Sequence, residues 1–177
     1  MKSSSRRRFI ATLGVAALGA GPNWACAASA APRNLHFDNL HTGEKLAVEY
    51  FQAGRYMPDA LAAVNHLLRD FRTGDVGAID PALLDLLHRL GTLTGSARPY
   101  QIISGYRSPA TNTALHLRSS GVASKSLHMR GQAIDIRLAD VPLRALRDAA
   151  LSMRAGGVGY YAESNFVHVD SGRVRAW

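Results

Sequence analysis

The stretch SLHMRGQAIDI, Ser126–Ile136, changes character at its glycine. From Gly131 to Leu138 the residues alternate with a period of two, the mark of a β-strand. Successive side chains on a strand point to opposite faces, so Ile134, Ile136 and Leu138 enter the core while Ala133, Asp135 and Arg137 face the other way. Asp135 is thereby held on a rigid element and aimed into a less apolar space. His128 lies before Gly131, and a glycine there permits a tight turn that folds the imidazole back over the strand.

A second stretch, NFVHVDSG from Asn165 to Gly172, obeys the same rule. Val167 and Val169 point inward, and Phe166, His168 and Asp170 share the opposite face. If the two strands are neighbours, Asp135 and His168 meet and His128 closes over them. Two neutral imidazoles and one carboxylate leave the fourth position of a tetrahedral Zn2+ ion open, as a hydrolytic site requires. Structural zinc sites are more often closed by cysteines, and the only cysteine is Cys26, far upstream.

Working outward, Arg33 to Tyr50 shows short apolar alternations about Thr42-Gly43, which predicts a hairpin. Met57 to Gly74 and Asp80 to Gly95 each read as a helix with proline near its start and glycine at its end. Tyr100 to Ser104 reads as a buried strand, and Pro109 to Ser120 as a helix stopped by Gly121. A further helix runs from Val141 to the glycine pair Gly156-Gly157, and short strands follow at Val158 to Tyr161 and Asn165 to Asp170. Strands joined by hairpins and single helices predict an α+β fold, a mostly antiparallel sheet with flanking helices.

The first thirty residues read differently. Lys2 and Arg6 to Arg8 precede an apolar run from Phe9 to Ala20 and then small residues, the pattern of an export signal. SRRRFI, Ser5 to Ile10, resembles the twin-arginine type. We expect cleavage after Ala30, with Ala27 as the alternative, which leaves residues 31–177 as a single catalytic domain in the periplasm. Neither a lipid anchor on Cys26 nor stable membrane insertion after cleavage is expected. The 177-residue chain carries a net charge of +8, but residues 31–177 keep 17 basic and 13 acidic residues, a net +4. That balance suits an anionic partner such as the cell wall, and the absence of an arginine-rich helix or aromatic ladder argues against nucleic acid. A monomer is expected.

Ser126 to Asp135 resembles the Ser-x-His-x-x-Gly-x-Ala-x-Asp motif of zinc D,D-peptidases of the M15 class. GYRSPATN, Gly105 to Asn112, with GGVGYY and FVHVD further on, is similar to the DUF882 subgroup of murein endopeptidases. The resemblance covers most of residues 33–177 and implies a Hedgehog/D,D-peptidase-like zinc peptidase fold. It implies His128, Asp135 and His168 as ligands of one zinc ion, and Arg107 as the residue that holds the substrate carbonyl or the developing oxyanion. Ser126 either hydrogen-bonds the substrate or braces the His128 loop.

The chain departs from the class at the general base. Some relatives place a glutamate three residues before the final histidine, where this chain has Asn165, and others a histidine two before it, where it has Phe166. Asp170 is then the first choice for orienting His168 or handling the proton, with Glu163 as the alternative if its turn curls back. Asn112 reads as a brace for the helix that follows it, and Tyr106, Tyr160 and Tyr161 as partly buried aromatics. His36, His41, His66, His88 and His116 read as structural or solvent-facing. The implied activity is hydrolysis of peptidoglycan cross-links, 3-3 links between two diaminopimelate residues first and links from D-alanine to diaminopimelate second. The alternatives are a carboxypeptidase trimming stem peptides and a zinc-containing peptidoglycan-binding module without catalysis.

Overall fold

A computed structural model describes residues 31–119 and 121–177, and the expected export signal lies outside them. The expected hairpin is present as β1 (Arg33–Asn39) and β2 (Lys45–Gln52), paired antiparallel, with Gly43 in the left-handed region at φ 72°. A two-residue strand, β3 (Arg55–Tyr56), extends it, and α1 (Pro58–Leu67) and α2 (Pro81–Thr94) follow. Next come β4 (Tyr100–Ser104), α3 (Pro109–Arg118), a 3-10 turn at Leu127–Arg130 and β5 (Ala133–Arg137). The chain finishes with α4 (Leu143–Ser152), β6 (Gly157–Tyr161), β7 (Phe166–Asp170) and β8 (Arg175–Ala176).

The strands form one eight-stranded sheet in the order β3-β2-β1-β4-β5-β7-β6-β8. Only β1 with β4 and β6 with β8 run parallel, so the α+β, mostly antiparallel expectation holds. One face carries Ile102, Ile134, Ile136, Val167 and Val169, buried in one cluster with Val64, Leu83, Leu84, Leu87, Leu90 and Leu146 from the helices. Each such side chain contributes about 1.5–3 kcal/mol relative to exposure, which makes this face the main source of stability. In β5 the opposite face is closed as well, since Ala133 and Asp135 are both buried.

Two helices stop well short of their sequence pattern, and α3 ends at Arg118 rather than Ser120, with Ser119 already extended. Helix α1 stops at Leu67 rather than running on to Gly74. The carbonyl of Leu68 accepts from Tyr106 N at 2.7 Å, and buried Asp70 turns its carboxylate to the backbone of Arg72 and Ser108. These bonds to a distant segment replace the next helical turn. Helix α4 ends at Ser152, short of the expected glycine stop, and Arg154 takes a left-handed conformation before β6. At Gly156 a Cβ would collide with the carbonyl oxygen of Asp170, so that glycine serves close packing on β7.

Candidate metal centre

The site is assembled from the backbone outward. Arg107 is fixed by its neighbours: Tyr106 N donates to Leu68 O, Arg107 N to His128 O at 3.2 Å, and Ser108 N to Asp70 Oδ2 at 2.9 Å. Ser108 then caps α3, its hydroxyl accepting from Thr111 N. On the facing segment Ser126 caps the 3-10 turn, its Oγ accepting from His128 N at 3.3 Å. Gly131 ends that turn at φ 63°, and a Cβ there would strike the carbonyl of Ala78. The glycine therefore meets both a conformational and a steric demand in delivering His128 to the sheet.

Strand register completes the cluster. Asp135 and His168 are direct partners across the β5–β7 pair. His168 Nδ1 lies 2.8 Å from Asp135 Oδ1, His128 Nε2 lies 3.3 Å from the same oxygen, and the two ring nitrogens are 3.2 Å apart. All three residues are buried.

The second nitrogen of each ring fixes its tautomer. His128 Nδ1 faces the carbonyl of Gly105 at 2.7 Å, an acceptor only, so Nδ1 carries the proton and Nε2 presents a lone pair. His168 Nε2 faces Asp170 Oδ2 at 3.1 Å, so the proton sits there and Nδ1 presents its lone pair. Three electron pairs thus converge at separations of 2.8–3.3 Å. One proton can bridge only one of these contacts, whereas a cation satisfies all three. Tetrahedral zinc with bonds near 2.0–2.1 Å sets its ligand atoms about 3.3 Å apart, so the donor set fits that ion.

The electrostatics agree with a cation site. Burial works to neutralise the Asp135 carboxyl, but His128 and His168 outweigh it and hold its pKa below the ordinary carboxylate range. Burial also disfavours a charged imidazole at His168, yet the Asp135 and Asp170 carboxylates raise its pKa above the usual histidine value. Asp170 is fully buried and its oxygens are shared among His168, a two-point contact with Arg175 at 2.7 and 3.1 Å, and the backbone of Gly157 and Gly172. A carboxylate so enclosed orients His168 from behind and has no face toward the cavity. Glu163 is exposed in the turn between β6 and β7 and does not border the cavity either.

In front of the cluster lies a cavity of about 360 Å³ lined by Arg107, Ser126, Tyr161, Phe166 and Trp177 among others. The Arg107 side chain is 11% exposed, with Nη2 3.9 Å from Asp135 Oδ2. Its Nε is buried without a hydrogen-bond partner among the described residues. Burial lowers its pKa, but a guanidinium remains charged and is left seeking an anion.

Two contributors, Arg175 and Trp177, escape the sequence reading, and the reading of Asn112 is too narrow. Asn112 does more than brace α3: its Nδ2 donates to Ala123 O and Ser124 O, while its Oδ1 makes a long 3.5 Å contact with Arg107. Arg175 and Trp177 reach the site only because β8 pairs with β6, and a two-residue strand leaves no periodic signal. His36, His41, His66, His88 and His116 all lie outside the cavity.

Asp70 offers a test of how the Arg107 loop is held. Burial raises its pKa, but hydrogen bonds from Thr111, Ser108 and Arg72 outweigh this and leave it below the ordinary value. A carboxyl depressed in the folded state stabilises fully above its unfolded pKa of about 4, and that contribution is lost as pH falls through the folded value. Asp70→Asn is therefore expected to lose about 1.5–3 kcal/mol at pH 7, with the gap to wild type closing in acid. Urea midpoints measured at neutral and acidic pH check both parts.

Comparison with known proteins gives a consistent result. The family described as peptidoglycan L,D-endopeptidase MepK matches residues 27–177. The peptidoglycan L,D-endopeptidase MepK of Escherichia coli (strain K12) is 48% identical over 180 residues, covering 99% of both chains. The probable peptidoglycan L,D-endopeptidase MepK of Haemophilus influenzae is 42% identical, covering 98% of this chain and 95% of its own. With its mixed α and β sheet fold and this match over nearly its whole length, the chain belongs to the MepK family of M15-type peptidases.

Proposed function

We propose that this protein is an exported zinc endopeptidase that hydrolyses peptide cross-links of peptidoglycan, 3-3 links between diaminopimelate residues first and 4-3 links second. The observation that carries the reading is the convergence of three lone pairs beside a buried, under-partnered arginine. The names of the 48% and 42% identical relatives supply the substrate class. We assign residues 1–30 to a twin-arginine-type signal and residues 31–177 to a single catalytic domain acting in the periplasm. Among the described residues no helix is long and apolar enough to cross a membrane.

In this reading His128 Nε2, Asp135 Oδ1 and His168 Nδ1 hold the ion. Zinc there supplies Lewis-acid polarisation of the scissile carbonyl and activation of water. Arg107 takes up negative charge as it develops on the carbonyl oxygen; its charge is permanent and its donors lie in a fixed plane. Ser126 offers its hydroxyl to the substrate while its oxygen braces the His128 turn. Asp170, tied to Arg175, keeps the proton on His168 Nε2 and so keeps Nδ1 free to ligate.

Residues 31–177, stripped of metal by a chelator, are expected to leave purified 3-3 cross-linked muropeptide dimers intact and to convert them to monomers once zinc is restored. Tight zinc binding with intact dimers after long incubation would instead mark a peptidoglycan-binding module. Trimming of free stem peptides without cutting of dimers would mark a carboxypeptidase.

A further inference from the structure

The cavity has an aromatic wall that the metal chemistry does not explain. Trp177 lies with its indole 5.2 Å from the His168 ring, at an angle of 50°. Its Nε1 donates to Tyr161 Oη at 2.8 Å, and Tyr161 stacks on Phe166 with centroids 4.5 Å apart. Trp177 N donates to Val158 O and Tyr160 N to Trp177 O, so the backbone around the indole is pinned to β6. The indole rests on Gly159, the residue that pairs with His168 across the sheet, where a Cβ would come within 2.7 Å of the ring. Despite these contacts Trp177 is 51% exposed and borders the cavity. A large aromatic held in place by three hydrogen bonds, yet left half open beside the candidate metal, presents an apolar face to whatever enters.

The charges around that face narrow the occupant. Arg175 stacks over the indole at 4.8 Å, and Arg107 and Lys125 border the same cavity. Lys125 has no carboxylate within ion-pairing distance among the described residues. Arg175 is already paired with Asp170 and Asp135 belongs to the candidate metal cluster, so Arg107 and Lys125 are the cations left to an entering group, and an apolar wall beside them suits a short methylene chain that ends in carboxylates. A diaminopimelate residue has this form, with three methylenes between two amino-acid ends. We propose that Trp177, with Tyr161 and Phe166, forms the subsite wall that seats the methylene chain of the cross-linked diaminopimelate residue, and that it thereby sets substrate specificity. The proposal rests on the endopeptidase reading above and goes beyond it in naming what the wall recognises.

The sequence provides its own probe. Trp24 and Trp177 are the two tryptophans, and Trp24 falls in the segment assigned to the signal, so Trp177 is the single tryptophan of residues 31–177 and its emission is read by exciting to the red of tyrosine absorption. Titrating metal-free protein with 3-3 dimers is expected to give a saturable change in emission that the glycan disaccharide without peptide does not produce. In the zinc-loaded protein, Trp177→Ala is expected to raise KM for the dimer about tenfold or more with kcat and zinc content near wild type, and Trp177→Phe to restore most of the affinity. Gly159→Ala, which displaces the indole without removing it, is expected to raise KM in the same direction. An unchanged KM in Trp177→Ala, or a loss of kcat and zinc together, overturns the proposal, the latter by showing that the indole only supports His168. Failure of the wild type to cut dimers is a different result: it removes the endopeptidase reading itself.

Discussion

Alanine at His168 is expected to abolish zinc binding and hydrolysis together. Wild-type residues 31–177 should hold one zinc per chain after dialysis, and the variant close to none. In the proposed centre the imidazole is one of three ligands and is aimed by Asp170 from behind, so its loss leaves one carboxylate, Asp135, and one histidine, His128, around the position. Loss of the several kcal/mol that a Lewis acid contributes to the transition state corresponds to a fall in turnover of about a thousandfold or more. Thermal melting separates this from simple unfolding. Zinc at 100 times its Kd stabilises a protein that binds it only when folded by about 2.7 kcal/mol, a shift the wild type should show and the variant should lose. The metal-free variant should still melt cooperatively, because Asp170 keeps Arg175 and two backbone donors. A variant that retained zinc and its thermal shift would remove His168 from the ligand set.

The reason so much of this cluster is legible in the sequence is that strands write their geometry directly. Alternation assigns Asp135 and His168 to the face opposite Ile134, Ile136, Val167 and Val169, while the adjacency of β5 and β7 comes from the fold, since α4 and β6 lie between them in sequence. The register that makes Asp135 and His168 direct partners then follows from burying the isoleucines and valines. What lies one contact further out is not written locally. Asp170 shares a strand face with His168, but its contacts with Arg175 and with two backbone donors, which enclose it, are made only in the fold. Trp177 carries no signal until β8 pairs with β6 and Gly159 provides the floor. The early stop of α1 is of the same kind, since its cause is a carbonyl engaged by Tyr106, some forty positions downstream.

Arg107 is where activity and stability are expected to part most clearly. Its guanidinium is nearly buried, carries a donor without a partner, and touches Asp135 only at 3.9 Å and Asn112 only at 3.5 Å. Such contacts are too long to repay the desolvation of a full charge, which supports the proposed role of Arg107 toward the substrate. Arg107→Ala should therefore leave the melting temperature and zinc content near wild type while kcat falls about 10²- to 10³-fold, the range for removal of a donor that faces a developing oxyanion. KM should move much less, because the interaction strengthens as charge accumulates on the carbonyl oxygen and is weak in the ground state. Arg107→Lys should recover little of the loss, since an ammonium on a flexible stem replaces neither the planar fork nor its fixed position between the Tyr106 and Ser108 backbone anchors. Zinc content, melting temperature, kcat and KM measured on the three proteins settle the assignment: normal turnover in Arg107→Ala removes it, and loss of zinc in that variant reassigns the arginine to supporting Asp135.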